Sequence, residues 1–298
     1  MELLVLVGPT GVGKTAFALN LAREYCCPII NADSRQIYKE IPIGTAAPTA
    51  EERALVPHYF VGTHSVTEDY NAGQYERDCL ALIDQLMHNR PIPSGLNTPF
   101  AILSGGSMMY IDAVCNGLDD IPSVSGEIRQ RVQTLYQEQG ILGLQQTLQS
   151  LDPEYRKVVD LLNPQRLMHA IEVCWTTGGT YTALRIRKTT PRPFTIKKIG
   201  LRRQRDILYN RINERVLQMM DTGLLKEAEA VFRLTGVLDG KLLPNSLNTV
   251  GYKELYQYMK GDYTLNEAVS MIQQNSRHYA KRQMTWWNRD TNIEWIDL

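Results

Sequence analysis

The chain has 298 residues, 43% of them hydrophobic, and 32 basic side chains balance 32 acidic ones to give a formal net charge of zero. That length can bury one large α/β domain, or a core carrying a smaller inserted unit, and neutrality argues against bulk, charge-driven binding of polyanions. No apolar run approaches membrane-spanning length, no signal-peptide pattern precedes the first apolar run, and the five cysteines (Cys26, Cys27, Cys79, Cys115, Cys174) contain no C-x-x-C pair, so the expectation is a cytoplasmic protein with reduced thiols and no membrane contact.

Residues 3–7 form an apolar run predicted as a strand, and residues 16–22 read as a helix. Between them stands Gly8-Pro9-Thr10-Gly11-Val12-Gly13-Lys14-Thr15, a complete G-x-x-x-x-G-K-[ST] phosphate loop in the strand–loop–helix context that gives the motif its meaning. Glycines let backbone N–H groups surround phosphate oxygens, the helix dipole adds positive potential, Lys14 supplies a full charge, and Thr15 can ligate magnesium. A di- or triphosphate ligand follows; its identity does not.

Further along, residues 28–32, 59–61 and 100–103 read as short buried strands, with a helix at 74–87 and an exposed Pro/Gly-rich loop at 90–99. That alternation is the mark of a parallel sheet. From 122 to 177 it stops, leaving helical patterns with capping signals: Ser125, Asp152-Pro153, Asn163-Pro164, and Gly178-Gly179 as a terminator. A strand resumes at 195–201, residues 206–287 are helical, and 293–296 can form a last short strand. The expected fold is a P-loop NTPase-like parallel α/β core over 1–116 and 185–298, interrupted by a helical insertion at 117–184 and closed by a helical C-terminal segment.

Charge is unevenly placed along the chain. Between 184 and 215 stand Arg185, Arg187, Lys188, Arg192, Lys197, Lys198, Arg202, Arg203, Arg205, Arg211 and Arg215, against Asp206 and Glu214. Later, Arg277, Lys281, Arg282 and Arg289 interleave with His278, Tyr279, Trp286 and Trp287, a mixture suited either to phosphates and stacked bases or to a solvated helix face over core tryptophans. The strand at 100–103 runs into Ser104-Gly105-Gly106-Ser107 with no carboxylate, whereas Asp33 follows the strand at 28–32. It therefore stands where ligands of open α/β folds bind, although an aspartate there can also be a cap for Ser34 onward. His64, His88, His169 and His278 lack metal-ligand spacing, so no zinc site is expected.

The motifs occur in a familiar order: Gly8 to Thr15, Asp33-Ser34-Arg35-Gln36-Ile37-Tyr38, Ile43-Gly44-Thr45-Ala46, Val56-Pro57-His58, Gly105-Gly106-Ser107 with Tyr110-Ile111, Asn163-Pro164-Gln165-Arg166 with Ala170-Ile171-Glu172-Val173, Val250-Gly251-Tyr252, and Tyr279-Ala280-Lys281-Arg282-Gln283-Met284-Thr285-Trp286. In this the chain resembles the tRNA dimethylallyltransferases over nearly its whole length. The resemblance implies transfer of a dimethylallyl group from its diphosphate to the exocyclic amine of the adenosine 3′ of the anticodon, with magnesium as cofactor and the tRNA anticodon stem-loop as partner, by a monomer. It implies Lys14, Thr15 with magnesium, and Arg215 on the leaving diphosphate, and Asp33 as the base that takes the amine proton. Ser107, where the family usually has threonine, would contact the acceptor base or the diphosphate, or serve only as a turn residue. Ser34, Arg35, Gln36, Gln165 and Arg166 fall at tRNA-contacting positions, and the segment from Arg185 to Arg203 would follow the RNA backbone. The chain departs from the family pattern at Pro42, Ala47, Tyr59 and Met108. A small-molecule kinase, or a prenyltransferase of free adenine nucleotides, would use the same loop.

Overall fold

The computed structural model describes residues 1–89, 99–186 and 189–298, and these divide into one unit of Met1–Cys115 with Arg192–Leu298 and a second of Asn116–Pro191. Of the loop expected at 90–99 only Pro99 is described, and it is buried; Arg187 and Lys188 lie outside the described residues.

The first unit is built on six strands, β1 (Glu2–Val7), β2 (Ile29–Asn31), β3 (His58–Tyr59), β4 (Ala101–Ser104), β5 (Thr195–Arg202) and β6 (Ile293–Asp297), in the order β3-β2-β4-β1-β5-β6. All pairings are parallel, with Leu3 opposite Ala101 on one side of β1 and Ile196 on the other. Parallel strands are covered on both faces, so the central ones are apolar throughout instead of alternating. In β1, Leu3, Val5 and Val7 pack one face with Tyr75, Ile83, Ile111 and Trp287, while Leu4 and Leu6 pack the other with Ala18, Ala22, Leu208 and Ala280. The expected strand at 59–61 begins one residue earlier and stops after Tyr59, because Phe60 turns to φ 60° and cannot extend a strand.

Helices of this unit are α1 (Lys14–Glu24), α2 (Pro42–Thr45), α3 (Ala50–Leu55), α4 (Ala72–Asn89) and α5 (Met108–Asn116), the last of which runs into the second unit. The second unit holds α6 (Gly126–Leu151), α7 (Pro153–Val158), α8 (Pro164–Thr177) and α9 (Tyr181–Leu184), after which the first unit resumes with α10 (Arg205–Asp221), α11 (Leu224–Thr235), α12 (Tyr252–Met259) and α13 (Leu265–Trp287). Ile37, Ile41, Phe232, Leu247, Tyr252 and Ile272 form a further cluster that joins the segment after β2 to α11, α12 and α13.

Among its described residues the second unit contains no strand. Its capping signals act as read: Ser125 accepts from Ile128 N–H at 3.3 Å, Asp152 from Tyr155 N–H at 2.9 Å, Asn163 from Arg166 N–H at 3.2 Å, and Gly178 ends α8 at φ 69°. Asp152 does more than cap, because it is buried and also receives the N–H and hydroxyl of Thr182 at 2.7 and 2.8 Å. Its own core joins Val132, Leu144, Leu148, Leu167, Ile171 and Cys174. The long helix α6 is broken at Gly140 (φ 64°, ψ −160°), a kink that periodicity does not reveal.

The chain leaves the first unit at the end of α5 and returns just before β5, and both crossings are tied. Thr190 N–H donates to Asn116 O at 2.7 Å within the second unit. Within the first, Arg192 donates to Ala113 O (2.7 Å) and Val114 O (2.9 Å) and pairs with Glu76 at 2.6 Å, with little of either side chain exposed. Removing one partner of such a pair leaves a buried charge and two bare carbonyls. Arg192→Ala is therefore expected to lower unfolding free energy by about 3–5 kcal/mol, read from urea unfolding curves; a loss below about 1 kcal/mol, the size of an exposed pair, would contradict it.

Candidate active site

The phosphate loop joins β1 to α1, and its first glycine is required by its surroundings: Gly8 has φ 147°, and a Cβ there would stand 2.6 Å from Leu201 O on β5. Cations hold the loop's carbonyls from several sides. Lys14 Nζ donates to Gly8 O and Pro9 O at 2.9 and 3.0 Å, Arg203 Nε to Val12 O at 3.0 Å, and Arg211 Nε to Gly11 O at 3.0 Å. The first-turn N–H groups of α1 have no intrahelical acceptor by construction, and they begin where an anion would sit. Burial pulls the Lys14 ammonium down to about 8, against the opposing pull of Asp33 and with a further push from Arg215.

The exit of β2 lies beside this loop. The ladder continues one step past both strands, with Ala32 N–H on Ser104 O (2.8 Å) and Ser107 N–H on Ala32 O (3.0 Å). Asp33 follows. Its Oδ1 accepts from Arg35 N–H (2.9 Å) and Gln36 N–H (3.3 Å), so the capping role is real, while Oδ2 stands within 2.6 Å of where a Cβ on Gly106 would be. One carboxylate oxygen is anchored and the other is aimed elsewhere.

Two adjoining cavities meet at Asp33. One, of about 400 Å³, is lined by the loop residues Thr10, Gly11, Gly13, Lys14 and Thr15 and by Arg211 and Glu214 on α10. The other, of about 310 Å³, is lined by Ser34, Arg35, Met219, Val250, Lys253 and Arg282. Thr10, Asp33, Thr45, Arg215 and Tyr279 belong to both. Burial depresses the Arg215 guanidinium below its ordinary value, Asp33 opposes this, and Arg211 adds to it. The shared wall thus sets a carboxylate and a guanidinium between the cavity on the phosphate-loop side and the second one.

Not every expected residue reaches this wall. Gly8, Pro9 and Val12 shape the loop without lining either cavity, and Ser107 also lines neither, its backbone being engaged by Ala32 O and Ile111 N–H. Gln36 lines the phosphate-side cavity, but its amide donates to Thr45 O (3.0 Å) and Ala46 O (3.1 Å), bracing the segment after α2. Gln165 and Arg166 are exposed in the first turn of α8, in the second unit.

The basic segment is not the free cationic track expected from sequence. Arg192, Lys198, Lys197 and Arg202 pair with Glu76, Asp290, Glu294 and Asp297, and Arg203 and Arg211 are held on loop carbonyls. Arg185 lies over the Tyr155 ring at 5.4 Å. Carboxylates from β6 and the turn before it, far off in sequence, neutralise a run that looks unpaired when read linearly.

Other participants escaped sequence reasoning. Glu227 on α11 accepts from Ile43 N–H (2.8 Å), Gly44 N–H (2.9 Å) and the Tyr252 hydroxyl, fixing α2 beside Thr45. Gln283, with no exposed surface, accepts from Thr10 N–H at 2.8 Å and donates to Gly106 O at 2.9 Å. The signals for it were its place in the Tyr279–Trp286 motif and the four-residue spacing from Tyr279, whose hydroxyl donates to the same carbonyl at 2.7 Å. Among the described residues, no three His, Cys, Asp or Glu side chains converge as a metal site, and no helix is long and apolar enough to cross a membrane.

The profile of the IPP transferase family matches residues 36–290. The chain is 51% identical to tRNA dimethylallyltransferase 1 of Phocaeicola vulgatus over 294 residues, covering 99% of this chain and 93% of that one. Among solved structures it is similar to the full-length tRNA isopentenylpyrophosphate transferase of Bacillus halodurans (TM-score 0.68, 32% identity, 99% of this chain and 89% of that one). In fold it is also like a eukaryotic dimethylallyltransferase acting on tRNA (TM-score 0.78, 22% identity, 99% and 73%). With the phosphate loop, the Asp33 wall and the six-stranded parallel sheet all in place, the chain belongs to the tRNA dimethylallyltransferase (IPP transferase) family of enzymes.

Proposed function

We propose that this chain transfers a dimethylallyl group from dimethylallyl diphosphate to the exocyclic amine of the adenosine 3′ of the anticodon in tRNA, releasing pyrophosphate. The observation that carries this reading is the wall shared by two cavities, where Asp33 and Arg215 stand between the phosphate loop and a second space. A hydrolase acting through water has no need of that second space, whereas a transferase must seat two substrates on either side of one reacting carbon.

In the reaction the allylic C–O bond breaks, the adenine nitrogen bonds to the same carbon, and the nitrogen loses a proton. Negative charge grows on the departing diphosphate, and Lys14, Arg215 and the N–H groups at the start of α1 stabilise it as it develops. Asp33, with Oδ1 held by Arg35 and Gln36, uses Oδ2 to orient the amine and take its proton. Thr15 has an exposed hydroxyl that would serve as one ligand to a magnesium ion, and such an ion would neutralise diphosphate charge. Ser34 and Arg35 would hold the acceptor nucleotide in the second cavity, and Gln165 and Arg166 on the insertion would contact the anticodon stem. A cytoplasmic monomer suits the reading: four of the five cysteines are buried thiols, and one chain supplies both cavities.

Incubation with labelled dimethylallyl diphosphate and an unmodified anticodon stem-loop is expected to give prenylated RNA, with far slower reaction of free adenosine monophosphate and no phosphoryl transfer from ATP. Preference for the mononucleotide, or phosphorylation of a small acceptor, would overturn the reading.

Lys14→Ala is expected to cut single-turnover transfer about a hundredfold, on the order of 3 kcal/mol of transition-state stabilisation, while tRNA affinity in a filter assay stays within about twofold. Asp33→Asn should lower the rate by about 10²–10⁴ with pyrophosphate binding preserved; a near wild-type rate would leave Asp33 as a cap alone. Because burial holds the Lys14 ammonium at about 8, the lysine must regain its proton when an anion binds above that pH. Measured as the ratio to a Lys14→Ala variant, which cancels pyrophosphate's own ionisation, calorimetric affinity for pyrophosphate is therefore expected to be flat below pH 8 and to fall by up to about tenfold per unit above it. The same shift has the opposite sign for the unliganded fold, whose penalty for burying the charge is full below pH 8 and fades above it.

A further inference from the structure

A fully buried glutamine is costly unless each polar atom of its amide is matched. Gln283 meets that condition across great distances in sequence: its Oε1 accepts from Thr10 N–H, 273 residues away, and its Nε2 donates to Gly106 O, 177 residues away. The partners fix which end is which, because a backbone N–H only donates and a carbonyl only accepts. Thr10 belongs to the phosphate loop. Gly106 belongs to the loop after β4, and it presses on Asp33: a Cβ at Gly106 would stand 2.6 Å from Asp33 Oδ2 and 3.4 Å from Gln283 Nε2. Tyr279 adds a second donor to the Gly106 carbonyl at 2.7 Å.

We propose that Gln283 is a positioning residue that sets the separation between the phosphate loop and the Asp33 carboxylate, gripping Thr10 N–H on one side and the Gly106 carbonyl on the other. The inference rests on the reading of the loop as the diphosphate site and Asp33 as the base. Departure of the diphosphate from one side of the reacting carbon and removal of a proton from the nitrogen that bonds to its other side have to occur in register, and a misplacement of about 1 Å can cost about a hundredfold in rate. A neutral side chain with one acceptor and one donor at amide spacing is what the two loops require. An ionised carboxylate sets an oxygen against the Gly106 carbonyl, and a hydrocarbon strips Thr10 N–H of its acceptor and leaves the Gly106 carbonyl to Tyr279.

Gln283→Glu tests this in a way that packing alone does not mimic. A protonated carboxyl has the shape of the amide and again offers one acceptor and one donor, while the ionised form offers acceptors only. Tyr279 on its own helix, Lys14 in the phosphate loop, Asp33 after β2, Glu52 on α3, His58 on β3, and Arg211, Glu214 and Arg215 on α10 line the same cavity. All of these are equally present in the wild type, so the ratio of variant to wild-type rate isolates the new carboxyl. That single-turnover ratio is expected to approach unity at low pH and to fall at least about tenfold as pH rises. Gln283→Met should instead lose about 10–10² at every pH, with pyrophosphate affinity within about threefold and the melting temperature recorded at each pH to confirm folding. Equal losses for the two variants at all pH values, or wild-type rates for either across the whole pH range, would overturn the proposal.

If the carboxyl variant does not fold, Tyr279→Phe and Gln283→Met form a double-mutant cycle on the Gly106 carbonyl. Coupling of at least about threefold in kcat supports the proposal, and strictly multiplicative losses overturn it. An inactive wild type would sink the transfer reading and this inference with it; an active wild type with pH-independent variants sinks this inference alone.

Discussion

A wholly parallel sheet delivers the carboxyl ends of its strands to one edge, and the candidate site exists because of that constraint. Strands β1 and β2 flank β4 although the three are separated by dozens of residues in sequence, so the phosphate loop, Asp33 and Gly106 leave the sheet side by side. The ladder bonds at Ala32 carry the register past the strands themselves, which is why the Gly106 backbone comes so close to Asp33. Helix α13 then closes the edge from above with Tyr279 and Gln283. Without parallel pairing, none of these groups would share a cavity wall.

What could be read from the sequence was local. The apolar runs at β1 and β4, the phosphate loop, and the caps at Ser125, Asp152, Asn163 and Gly178 each depend on a few neighbouring residues and behave accordingly. Asp33 was legible as well, because a carboxylate after a strand has only a small set of uses. Long-range closures were not legible. Glu227 binds backbone N–H groups 183 and 184 residues away, and nothing in the neighbourhood of either partner announces it. Gly140 and Phe60 failed for a different reason: their backbone angles break elements that side-chain periodicity carries straight through.

Charge shows the same limit from another side. A linear count finds a basic stretch between Leu184 and Arg215, yet six of its eleven basic residues are engaged by carboxylates at 76, 290, 294 and 297 or by the carbonyls of the phosphate loop. Arg203 and Arg211 each hold a carbonyl of the phosphate loop, so part of the positive charge is spent on shaping the loop. Recognition of a polyanionic partner then rests on fewer free cations than the sequence suggests, and net neutrality is less paradoxical than it first looks.

The tied neck at Arg192 has a consequence for how this architecture can vary. Since Arg192 closes the α5 carbonyls and Glu76 on the sheet side while Thr190 and Asn116 are paired on the other, the core's geometry is sealed before the second unit begins. The entropy of closing a longer or shorter excursion at that neck changes only as the logarithm of its length. The second unit is therefore an exchangeable module: it can be enlarged, trimmed or replaced over evolution, or by a protein engineer, while the chemistry at the sheet edge is inherited unchanged.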